Sequence, residues 1–174
     1  MLYGIAFLCL IGAVGLLAVL SVIDLKIRLL PNKYVLTFAL LGLLFHFVTA
    51  ARYLSPQDIV TGAALGFGSL YLLRMAANAY YKMDAFGLGD VKLMGAAGLW
   101  LGVDGILISL TLGAFAGLLH GLGYGFYTHF RDKTPLDFHN LAIPAGPGFA
   151  IGIVLTGIWI YQDFIKDFSH VFAS

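Results

Sequence analysis

From Leu2 to Val22 the chain carries no charged side chain, a run as long as the hydrocarbon core of a bilayer is thick. In that medium each backbone N–H and C=O must find its partner within the protein, which a helix achieves by itself. A helical crossing takes about 20 apolar residues. Comparable runs recur at about 33–51, 59–73, 105–127 and 143–160, with a shorter one at 91–103. These segments predict an all-α, polytopic membrane helix bundle of about six transmembrane helices, forming one domain over 1–174. Composition agrees: 60% of residues are hydrophobic and 11% charged, against about a quarter charged in soluble domains.

Local signals mark several boundaries. Pro31 turns the chain after the first span, and Asn32 is placed to cap the second. Ser55-Pro56-Gln57-Asp58 carries a serine cap, a first-position proline and an acid in the first turn. The glycines at 113, 117, 121 and 125 share one helix face, a ridge on which a second helix can pack closely. The N-terminus lacks a basic region and a small-residue cleavage site, so the first run is expected to be retained and not removed as a signal peptide.

The ten cations give the expected orientation. If the first span ends in the cytoplasm, all but Arg52 and Lys166 lie there, the bias the positive-inside rule requires. Both termini are then outside. The net charge of +1 and the lack of a basic run exclude a nucleic-acid partner. The lone cysteine, Cys9, can form no internal disulfide and reads as packing. His46, His120, His129, His139 and His170 show no metal-ligand spacing, so neither metal nor cofactor is expected. Within spans, His46 and His120 read as interhelical hydrogen-bonders.

There is no glutamate, so every acid is an aspartate. Asp58, Asp104, Asp163 and Asp167 fall outside in this topology, and Asp132 and Asp137 in a polar loop. Asp24, Asp84 and Asp90 remain near the cytoplasmic ends of apolar segments, where a carboxylate is costly to keep. Asp84 reads as a loop acid. Two carboxylates held together can activate water, one taking its proton while the other donates to a substrate carbonyl. Gly87 and Gly89, lacking Cβ atoms, would let an extended peptide lie close to Asp90. A plainer reading stands beside this: Asp24 as an interfacial acid paired with Arg28 one turn on. The same acids would also suit a small transporter or proton relay, and the glycine ridge a scaffold subunit.

Three stretches resemble, in order, the landmarks of type IV prepilin peptidases. D-L-K-I-R-L-L-P-N is similar to their first acidic motif, G-L-G-D-V-K to their G-x-G-D-x-K block, and I-P-A-G-P-G to a third landmark near the last span. The resemblance implies a membrane aspartic protease of the bacterial cytoplasmic membrane that removes the basic leader of prepilins or pseudopilins. It implies Asp24 and Asp90 as the catalytic pair. Pro31, Asn32, Gly87, Gly89 and Lys92 complete the first two motifs, and Pro144, Gly146 and Pro147 shape the site from the third. No C-x-x-C pair occurs in the sequence, so the cytoplasmic domain that carries such pairs in larger members is not expected. The chain thus looks like the short, peptidase-only kind serving Flp/Tad-type pili, and N-methyltransferase activity is not expected. Ala145 stands where many members have an aromatic residue.

Overall fold

The computed structural model describes residues 2–82, 87–132 and 144–173. Among these, every regular element is a helix: α1 (Leu2–Ile27), α2 (Asn32–Val48), α3 (Pro56–Tyr81), α4 (Leu88–Asp132), α5 (Gly146–Ile160) and α6 (Gln162–Ala173). The fold is a membrane helix bundle. By length and composition α1, α3 and α4 can each cross a membrane, and a fourth span is available if α5 and α6, bent by 65°, are counted together. Large apolar side chains such as Leu8, Phe47, Leu72 and Leu155 point outward, as expected where hydrocarbon replaces water as the solvent.

The cap at α3 forms as its sequence predicts. Ser55 Oγ accepts from the Asp58 N–H at 3.1 Å and donates to the Asp58 carboxylate at 2.7 Å. At α2 the expectation fails in detail. Pro31 is the N-cap and Asn32 the first helical residue, so the Asn32 side chain is released for another contact. α3 also runs on through Tyr81, beyond the apolar run expected to end near 73; Ala76, Ala77 and Ala79 favour continued helix there. α6 lies beyond the last apolar run, which was expected to end near 160. Its apolar edge stacks Phe164 on Tyr3 and Phe168 on Phe7.

α4 contains the runs expected as fourth and fifth spans, interrupted at Gly102 (φ 66°, ψ −168°). A straight helix of its length would measure about 65 Å, twice the bilayer core. It doubles back instead. A Cβ on Gly66 would meet both the Met94 carbonyl and Ile106, so the two arms of α4 lie against one turn of α3. The first arm, 88–101, is about 20 Å long, shorter than the hydrocarbon core. The reversal orphans the last carbonyls of that arm, and side chains from other helices take them. His46 Nε2 lies 3.0 Å from the Leu99 carbonyl, and the Tyr161 hydroxyl donates to that of Trp100. The Trp100 indole N–H in turn donates to the Phe38 carbonyl at 2.9 Å. His46 is therefore an interhelical hydrogen-bonder, as read, whereas His120 is exposed.

Glycines set the helix spacing. Gly62 of α3 meets the backbone of Gly98 and Gly102, and Gly148 of α5 meets that of Gly113 and Gly117. The ridge beginning at Gly113 thus packs on α5, and a second small-residue contact, between α3 and the first arm of α4, holds the other side. Gly102→Ala is expected to destabilise the bundle by about 1–3 kcal/mol. Its backbone lies in a region that only glycine adopts readily, and a Cβ would also meet Leu54 Cδ2 at 3.0 Å. The midpoint of unfolding by sodium dodecyl sulfate in mixed micelles checks this.

Candidate active site

Four helix ends converge at one end of the bundle: the last turn of α1 and the first turns of α2, α4 and α5. α1 delivers Asp24, which is 5% exposed, and α4 delivers Asp90, which is 9% exposed. The two acids are close enough for the charge of Asp24 to act on Asp90. Their surroundings differ. Gly146, the first residue of α5, donates its backbone N–H to Asp24 Oδ2 at 2.9 Å. This N–H is one of the donors a helix leaves unpaired at its start, where the peptide dipoles favour negative charge. Asp90 sits in the first turn of α4, but its Oδ1 is buried with no hydrogen-bond partner among the described residues.

The loops that bring these ends together are locked by specific contacts. Arg28 adopts a left-handed conformation (φ 54°) that ends α1, its N–H donating to the Asp24 carbonyl at 2.9 Å. Among the described residues no close ion pair joins the Asp24 carboxylate to Arg28, although the Arg28 charge acts on it. Leu30 then turns inward, and a Cβ on Gly89 would lie 2.8 Å from Leu30 Cβ. The missing side chain at Gly89 therefore seats Leu30. Gly87 is the glycine beside the acid, since a Cβ there would lie 2.8 Å from Asp90 Oδ2. Lys92 Nζ donates to Asn32 Oδ1 at 3.0 Å, a second tie between the first two motifs.

The third landmark is built on α5. Ala145 is the N-cap, Gly146 opens the helix and Pro147 stands in its first turn, where a proline removes no needed donor. A Cβ on Gly146 would fall 2.6 Å from Asp24 Oδ2 and 3.0 Å from its Cγ, so glycine is the residue that lets the carboxylate reach the backbone. Pro144, half-buried, leads into this turn. Asp84, Asp137 and Ile143 lie outside the described residues. Leu30 was not singled out from sequence, although its place beside Pro31 in an apolar turn is the signal that it tucks inward. No group of three or more His, Cys, Asp or Glu suited to a metal occurs among the described residues. What the site offers is one carboxylate held by a backbone donor, beside another with an unused oxygen.

A model of the type IV leader peptidase family matches residues 10–122. Similar curated proteins carry the name prepilin leader peptidase/N-methyltransferase. That of Pectobacterium carotovorum subsp. carotovorum is 36% identical over 136 residues, 78% of this chain and 46% of the relative. That of Escherichia coli (strain K12) is 31% identical over 138 residues, covering 78% and 56%. That of Bacillus subtilis (strain 168) is 30% identical over 159 residues, covering 89% and 56%. The chain spans about half the length of these relatives. No solved structure matches it significantly.

Proposed function

Because the chain belongs to the type IV leader peptidase family, we propose that it is a membrane aspartic endopeptidase that cleaves the leader of type IV, Flp-type prepilins or pseudopilins. Cleavage would occur at the cytoplasmic face of the bacterial inner membrane. The observation that carries this reading is the burial of Asp24 and Asp90 together, at the helix ends where all three motifs converge.

The unequal surroundings of the two acids support a division of roles. Asp24, holding the Gly146 N–H, keeps the negative charge and takes a proton from a water between the carboxylates. Asp90, with its unpartnered oxygen, carries the shared proton and gives it to the scissile carbonyl oxygen as the water attacks carbon. The resulting diol collapses as Asp24 returns its proton to the leaving nitrogen and Asp90 recovers one from a diol hydroxyl. The C–N bond breaks and the starting charges are restored. Titration of activity belongs to the pair and should be bell-shaped, falling when both acids are charged or both neutral.

The test is cleavage of Flp-type prepilins in membranes containing the protein, read as loss of the leader by gel mobility and N-terminal sequencing. Processing before the apolar helix supports the proposal; intact prepilin in every case, with the protein folded, rejects it. Gly146→Ala is expected to slow cleavage about a hundredfold, since ångström-scale misplacement of a reacting group costs on that order. The new Cβ displaces the Asp24 carboxylate from the position its N–H partner defines. A rate within twofold of the parent would show that this contact does not matter.

A further inference from the structure

The first arm of α4 is enclosed on almost every side: Val91, Leu93, Met94, Ala96, Ala97, Trp100 and Leu101 are all buried. Past its first turn, only Lys92, Gly95 and Leu99 remain half-covered, and their spacing puts them on one helix stripe. That stripe is the floor of a groove of about 550 Å³, walled by Val35, Leu36 and Ala39 of α2 and by Ala63 and Phe67 of α3. Leu36 is 61% and Phe67 41% exposed at its rims, so the groove opens sideways, where lipid lies.

Its chemistry is divided lengthwise. Asn32, Lys33 and Lys92 stand at one end; every other lining residue is apolar or glycine. No carboxylate lines the groove. Asp90 is about 200° around the helix from Lys92, turned toward Asp24. Lys92 gives a hydrogen to Asn32, but an ammonium has three. The Lys33 ammonium lies 4.8 Å from the Tyr34 ring centroid, and among the described residues no ion pair engages either lysine. Two positive charges thus cap an apolar trough about 10 Å long between Lys92 and Leu99.

We propose that this groove binds one anionic phospholipid, its phosphodiester between Lys33 and Lys92 and the upper part of one acyl chain on the Gly95–Leu99 floor. Charge complementarity selects this occupant. A basic leader peptide would be repelled from the lysines, and a free phosphate would have no use for the apolar walls. Lipid held here buttresses α2 against α4 on the side away from the acids, supporting the Lys92–Asn32 tie.

The experiment is native mass spectrometry of the purified full-length protein, titrated with phosphatidylglycerol or with phosphatidylcholine of the same chains. It involves no cleavage, so its outcome is separate from that of the peptidase reading. Phosphatidylglycerol should be retained in preference. Lys33→Gln should weaken its binding about fivefold, the effect of one lysine near anionic lipid, and Ala39→Phe should displace the bound lipid by filling the trough. Equal retention of the two lipids, or phosphatidylglycerol binding unchanged in both variants, overturns the proposal. So does an Ala39→Phe protein that keeps the lipid but no longer docks prepilin, which would give the groove to the substrate.

Discussion

An Asp90→Asn protein should be folded, inserted in the membrane and unable to cleave prepilin, with the rate reduced at least about a thousandfold. Asparagine matches aspartate in shape but cannot carry the proton that the proposed mechanism gives to the carbonyl. Asp24→Asn should be equally inactive for the complementary reason, since an amide cannot take the proton from water. Its carbonyl oxygen can still accept from the Gly146 N–H, the 2.9 Å bond that ties α1 to α5, so the bundle should keep its stability. Processing in membranes, paired with detergent unfolding of each variant, separates chemistry from folding. Substantial cleavage by either folded variant would remove the two-carboxylate mechanism.

The largest structural effect should follow Gly98→Val. A Cβ at this position runs into the carbonyl of Gly62 and lies 2.6 Å from Ala63 Cα, so the obstacle is backbone and cannot rotate away. Overpacking that side chains can relieve costs about 1–3 kcal/mol. Here α3 and the first arm of α4 must part, and a loss of at least about 3 kcal/mol is expected, with little folded protein recovered. Gly68→Ala on α3, the helix that Gly98 packs against, is the control. A Cβ there meets nothing within 4 Å, and alanine should leave stability unchanged or raise it slightly. Equal behaviour of the two variants would mean that the glycine contact does not set the spacing of these helices.

The helix bundle was legible because apolar length and charge placement are local properties. The serine cap at Ser55, the ridge beginning at Gly113 and the interhelical role of His46 were legible for the same reason. So was the convergence of the three motifs, once their resemblance to a family was recognised. The break between the fourth and fifth runs was legible too, but its exact place at Gly102, and not at Asp104, was not; what decides it is the fit of both arms against Gly66, a contact distant in sequence. The approach of Leu30 to Gly89 was hidden by the same gap. A glycine announces that something comes close, but only the fold tells that Leu30 is what approaches. Asn32 looked like a cap, yet Pro31 takes that position and frees its amide for Lys92. Sequence also offered no basis for ranking the two acids, because their difference rests on the N–H of Gly146, which is brought to Asp24 from the far end of the chain.

The most direct test is a cross-link between the two acid positions. In a Cys9→Ser background, Asp24→Cys and Asp90→Cys are combined, and a protease site is inserted between α2 and α3. A thiol cross-linker with a spacer of a few ångströms is then applied in membranes. Juxtaposition of the two acids predicts that the two halves stay joined on a denaturing gel after proteolysis, and separate when either cysteine is absent. Halves that separate despite full reaction of both thiols would contradict it, because carboxylates that far apart could not hold one water between them.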